Sequence, residues 1–180
     1  MSRLASRPIA LVGLMGAGKS EVARCLGERL GASVADLDAM IEAQEGLPVA
    51  ALFERSGEAW FRRRESELLA QLIHAGIQVL ATGGGIVLDE GRRQRLRSDC
   101  FVAWLEVSPE TALARVGGAQ GDPARQRPLL AGADPLERLT HLLAERTPHY
   151  AEVAHVRVAT EGLSIDEVAE QVQRARASAC

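Results

Sequence analysis

The segment Gly13-Leu14-Met15-Gly16-Ala17-Gly18-Lys19-Ser20 constrains this chain more than any other, because it fills every fixed position of G-x-x-x-x-G-K-[ST]. It follows a short apolar run, Ile9 to Val12, and precedes a stretch with helical periodicity, Glu21 to Leu30. In that context backbone N–H groups turn inward to wrap a phosphate, and the positive end of the helix adds its attraction. Lys19 would bridge the β- and γ-phosphates of ATP, and the Ser20 hydroxyl would ligate Mg²⁺. Gly13, Gly16, Ala17, Gly18 and Glu21 complete the expected nucleotide contacts. A glycine-rich turn that binds nothing is the competing explanation. Composition weighs against it: of 21 basic residues, Lys19 is the only lysine in a chain that otherwise uses arginine.

Further along, short apolar runs alternate with helical patterns. Strands are predicted near 32–36, 77–82, 101–107 and 153–158, and helices near 37–44, 49–55, 58–74, 89–96, from Pro109, 134–146 and 164–176. Ser164 and Glu167 have the spacing of a capping box. No hairpin signal interrupts the series, so the expected fold is α/β, a parallel sheet with helices on both faces, in one domain over 1–180. The Gly-, Pro- and Ala-rich stretch 117–134 reads as a mobile loop.

The bulk numbers exclude several classes. A net charge of −3 gives no basic field for nucleic acid or an anionic membrane. Two tryptophans and one tyrosine are too few for a base-stacking surface, and no apolar run reaches the ~18 residues a membrane span needs. Cys25, Cys100 and Cys180 are widely spaced and odd in number, which fits free thiols in a reducing, cytoplasmic setting. His74, His141, His149 and His155 lack metal-ligand spacing.

Five further motifs carry possible chemistry. Asp36 and Asp38 end the second predicted strand; at i and i+2 they would share one side, at the sheet edge where ligands bind. One could serve Mg²⁺ through water and the other an attacking hydroxyl, or Asp36 could simply cap the next helix. Arg62 stands three residues before Glu65, a helical spacing at which the carboxylate holds the guanidinium for bidentate capture of a substrate carboxylate; Arg63 and Arg64 read as a solvated face. Gly83, Gly84 and Gly85 after a strand permit close approach of a ligand, or form a plain loop. Arg125 and Arg127 lie in the glycine-rich stretch, where a closing arginine could meet the transferring phosphoryl group, and Arg146 follows a helix.

Taken in order, GLMGAGKS, DLD, FRRRE, TGGG, RPLL and ERTPHY resemble the shikimate kinases, of the nucleoside-monophosphate-kinase-like P-loop fold, over nearly the whole chain. The resemblance implies a five-stranded parallel sheet, substrate-binding helices at about 38–76 and a lid at about 115–134. It implies phosphoryl transfer from MgATP to the 3-hydroxyl of shikimate, with Asp38 at the reacting hydroxyl and Arg62, Arg146 and Gly83 to Gly85 on the substrate. Glu65 would brace Arg62, Asp36 would hold a water of the Mg²⁺ shell, Arg127 would come down onto ATP, and Arg115 would lie against adenine. Glu21 stands where the family more often has Thr, and Ala159-Thr160-Glu161-Gly162 offers adenine no basic residue. A monomer is expected. A gluconate kinase would share the phosphate loop but not the Arg62, triple-glycine and Arg146 set. A non-catalytic ligand sensor would be expected to have lost Lys19 or Asp38, and both are present.

Overall fold

Successive residues of a strand face opposite sides of its sheet, and that period sorts the core of this protein into two halves. The structure, a computed structural model, describes residues 4, 6–117 and 134–179. Five strands, β1 (Ile9–Val12), β2 (Val34–Asp36), β3 (Val79–Ala81), β4 (Phe101–Glu106) and β5 (Val156–Ala159), form one parallel sheet in the order β2-β3-β1-β4-β5. Ile9 pairs with Val79 on one side and Phe101 on the other, so inward-facing residues of neighbouring strands line up.

Ile9, Leu11, Val79, Ala81, Phe101, Ala103 and Leu105 pack on one face beneath α1 (Lys19–Leu30), α5 (Pro109–Gly117) and α7 (Ile165–Ser178). Ala10, Val12, Leu80, Val102 and Trp104 pack on the other, beneath α2 (Leu37–Glu45), α3 (Val49–His74) and α4 (Glu90–Asp99). The helix α6 (Pro135–Val153) serves both, giving Leu139 and Leu142 to the first core and Tyr150 and Val153 to the second. The fold is thus the five-stranded P-loop α/β architecture the sequence implies.

Helix boundaries follow local chemistry. Asp134 caps α6 by accepting from Leu136 and Glu137 N–H, and Ser164 with Glu167 forms the predicted capping box of α7. Such caps contribute about 1 kcal/mol each. The two helices expected at 49–55 and 58–74 follow one another with a single break, Gly57 (φ 79°, ψ 161°).

Three expectations are corrected. The helix expected to stop near Arg146 continues through Pro148 to Val153, and β5 therefore begins at Val156 instead of 153. Pro148 removes a donor to the carbonyl of Ala144. Tyr150 (0% exposed) and Val153 (1%) lie beyond it, and burying each is worth roughly 1.5–3 kcal/mol, which offsets that loss. Asp38 lies in the first turn of α2, not on the strand with Asp36. Residues 115–117, placed in the lid by the sequence, belong to α5, while 118–133 fall outside the described residues. Among the described residues Cys25 and Cys100 are free thiols, and no helix is long and apolar enough to cross a membrane.

Candidate active site

The carboxyl ends of β1, β2 and β3 lie side by side, and each is followed at once by residues singled out in the sequence. After β1 the chain turns at Gly16 (φ 79°) and Gly18 (φ 84°), left-handed conformations natural to glycine, and enters α1. Lys19 Nζ donates to the carbonyl oxygens of Gly13 and Leu14, each at 2.9 Å, so the side chain lies folded across the loop. A triphosphate would offer it oxygens in their place. Glu21 is exposed and paired with Arg24 at 3.2 Å, so its charge beside the loop is already countered.

Ser20 Oγ donates to an Asp36 carboxylate oxygen at 2.5 Å. The other Asp36 oxygen accepts from Ala39 N–H at 3.1 Å and caps α2. The helix-cap role weighed for Asp36 is therefore filled, while its other oxygen meets the phosphate-loop serine. A hydroxyl and a carboxylate this close are hard oxygen donors of the kind Mg²⁺ takes, one or two from protein and the rest from water and phosphate.

The three glycines after β3 are where the other candidates meet. A methyl group on Gly83 would lie 2.5 Å from Glu65 Oε1 and 2.8 Å from Asp38 Oδ1. One on Gly84 would lie 3.2 Å from the Gly13 carbonyl oxygen, 3.3 Å from Arg146 Nη1 and 3.6 Å from Tyr150 Oη. On Gly85 it would overlap the Arg62 guanidinium. Bare backbone at 83–85 thus lets Asp38, Arg62, Arg146 and the start of the phosphate loop share one small volume.

Electrostatics in that volume are organised around a buried carboxylate. Glu65 is fully buried; its Oε2 accepts from Arg62 Nη1 at 3.0 Å and lies 3.9 Å from Arg92 Nη1, while Oε1 has no hydrogen-bond partner among the described residues. The spacing of Arg62 and Glu65 on α3 does what helical neighbours at i and i+3 can do. Arg62 also reaches Glu58 at 3.3 Å and lies 5.6 Å from the ring centroids of Phe53 and Phe61. Arg146 comes from α6 and is 3% exposed, with its Nε unpartnered among the described residues.

Arg63 is exposed as expected, whereas Arg64 is half-buried and pairs with Glu67 and Glu45. Arg115 reaches from α5 to the Gly16 carbonyl at 3.3 Å and to the hydroxyl and carbonyl of Thr160 at 2.9 and 3.0 Å. It therefore borders the phosphate loop. Arg127 lies outside the described residues.

Two residues of this cluster carried no expected role. Arg92 donates to the carbonyls of Ile86 (3.1 Å) and Arg62 (2.9 Å), tying α3 to the turn after the glycines, and burial lowers its pKa. Tyr150 donates to the Gly84 carbonyl at 2.6 Å. The available signals were Arg92 three residues after the capping Asp89, and Tyr150 four residues, one helical turn, after Arg146.

A phosphate loop with its lysine and serine, facing a pocket of one carboxylate and two held guanidiniums, defines a P-loop kinase for a small molecule. The family model described as shikimate kinase matches residues 15–176. A shikimate kinase from Symbiobacterium thermophilum is 48% identical over 164 residues, 91% of this chain and 92% of that protein. The structure of shikimate kinase from Acinetobacter baumannii in complex with shikimate superposes with a TM-score of 0.88 at 35% identity, covering 98% of this chain and 95% of that one. A gluconokinase from Sinorhizobium meliloti superposes with a TM-score of 0.64 at 18% identity, covering 98% of this chain and 95% of that one; it shares the fold alone. The chain belongs to the shikimate kinase family.

Proposed function

We propose that this chain, acting as a monomer, transfers the γ-phosphoryl group of MgATP to the 3-hydroxyl of shikimate, giving shikimate 3-phosphate and ADP. The observation that carries the proposal is the meeting of Asp38, Arg62 and Arg146 at the glycines 83–85, beside Gly13 of the phosphate loop.

Phosphoryl transfer asks a protein for position and charge more than for covalent help. Arg62 and Arg146 would grip the substrate carboxylate, a planar anion matched to guanidinium forks. Both guanidiniums are held in advance, Arg62 by Glu65 and Arg146 by burial within α6, so little ordering remains at binding. The backbone at Gly83, Gly84 and Gly85 would meet ring hydroxyls. Asp38, aimed across Gly83, would accept the proton of the attacking hydroxyl as its oxygen bonds to phosphorus and the bond to the ADP oxygen breaks. Lys19 would leave its two carbonyls for the β- and γ-phosphates. Ser20 and, through water, Asp36 would hold Mg²⁺, which neutralises phosphate charge when bound. Arg127 would add positive charge at the transferring group, Arg115 would border adenine, and Glu21 would lie beside the phosphates. Helices at 38–76 would form the acceptor side and the segment at about 115–134 the lid.

Coupled detection of ADP, with MgATP present and shikimate or gluconate added or withheld, tests the reaction. ADP release that requires shikimate is expected, falling by on the order of 10²–10³ in Lys19→Ala. Release that follows gluconate, or that ignores both acceptors, would overturn it.

A further inference from the structure

Tyr150 is the sole tyrosine of the chain, and its hydroxyl meets the glycines of the acceptor side. The phenol is fully buried and donates to the Gly84 carbonyl at 2.6 Å. Arg146, one turn earlier on α6, comes to the same glycine: a methyl group on Gly84 would lie 3.3 Å from its Nη1 and 3.6 Å from the phenol oxygen. With its proton given to the Gly84 carbonyl, the hydroxyl keeps its lone pairs for a guanidinium, which can only donate. Burial pushes the phenol up to about 12, against the smaller opposing pull of Arg146, so the donor persists throughout neutral and mildly alkaline pH.

The ring itself is clamped. Trp104 stacks on it with centroids 5.7 Å apart and planes 29° apart, and Arg157 lies 4.8 Å from the Trp104 centroid. A peptide unit is planar and its C=O and N–H point opposite ways, so holding the Gly84 carbonyl also aims the Gly85 N–H. The hydroxyl thus links a side chain on α6 to a backbone plane after β3.

We infer that Tyr150 is a positioning residue for the acceptor, fixing the spacing between the guanidinium that takes its carboxylate and the glycine backbone that takes its hydroxyls. The inference rests on the function proposed above. A tyrosine that merely fills the core would affect stability and leave the balance between the two substrates untouched. Tyr150→Phe keeps the ring and removes the oxygen alone, taking the donor from the part-buried Gly84 carbonyl and a polar neighbour from Arg146. It should raise KM for shikimate roughly 10-fold while KM for ATP stays within about two-fold. Combined with Arg146→Lys, the loss in kcat/KM should be at least about three-fold smaller than the product of the single losses.

Because the chain has one tyrosine, biosynthetic 3-fluorotyrosine gives the intact protein a single ¹⁹F resonance. Shikimate should move it and ADP should not. A Tyr150→Phe enzyme whose shikimate KM matches wild type, single losses that multiply, or a resonance indifferent to shikimate each overturns the inference and leaves the proposed function standing. Wild type inert toward shikimate overturns both.

Discussion

Gly83→Ala adds one methyl group between the Glu65 and Asp38 carboxylates. That methyl would lie 2.5 Å from Glu65 Oε1 and 2.8 Å from Asp38 Oδ1. Carbon and oxygen settle no closer than about 3.3 Å, so the two oxygens must retreat by roughly 0.8 and 0.5 Å. Gly83 is not among the glycines with positive φ, and the effect is therefore steric and not a matter of backbone strain. Asp38, half-buried in the first turn of α2, can swing away. Glu65 is fully buried and holds Arg62 at 3.0 Å, so its retreat takes the guanidinium with it. Displacing the proposed base and the proposed substrate clamp by somewhat under 1 Å should lower kcat/KM for shikimate on the order of 10²-fold. Overpacking should cost about 1–3 kcal/mol, a fall of roughly 5 °C in Tm. The coupled ADP assay, run well below that Tm, should show KM for ATP within about two-fold of wild type. Gly84→Ala is the control: its methyl meets nothing closer than 3.2 Å, and its loss should be the smaller. A Gly83→Ala enzyme within about three-fold of wild type in kcat/KM, or one less damaged than Gly84→Ala, would refute the steric argument.

Glu65→Gln removes the one carboxylate shared by Arg62 and Arg92. Leaving two largely buried guanidiniums short of their counter-charge should cost on the order of 3 kcal/mol, seen as a Tm roughly 10 °C lower by calorimetry together with a raised shikimate KM; an unchanged Tm would show the pair to be energetically idle. His155 Nδ1 accepts from Val102 N–H at 3.0 Å, and burial first, then Arg7 and Arg97, hold its pKa below the ordinary 6.5. The folded state thus favours neutral imidazole, so its contribution is complete above about 6.5 and is lost as pH falls from there through the lower folded value. Urea midpoints should drop further in wild type than in His155→Gln between about pH 7.5 and 5.5, and an equal drop would refute the assignment.

How far the sequence could be read varied with how local the cause was. The phosphate loop was legible because seven consecutive bonds of geometry are written in one motif between a strand and a helix. The Arg62 and Glu65 pair was legible because helical spacing alone brings them together. The helix expected at 37–44 includes Asp38, but the reading of Asp36 and Asp38 as one strand face fails because β2 passes into α2 with no loop between, Asp36 ending one and capping the other. The end of α6 was missed because Pro148 is a local stop signal, overridden by the burial of Tyr150 and Val153, a tertiary effect. Tyr150 and Arg92 drew no functional expectation for the same reason: an aromatic near a helix end reads as core, and an arginine among Arg92, Arg93, Arg95 and Arg97 reads as surface, until partners distant in the chain are known.

The lysine folded across the phosphate loop has one more consequence. Twenty of the 21 basic residues are arginine, so Lys19 is the chain's only side-chain primary amine. Reagents that acylate amines or reductively alkylate them therefore have one side-chain target, and it is the group that would touch the transferred phosphate. The amine-labelling chemistry of this protein is, at its side chains, the chemistry of its proposed nucleotide site.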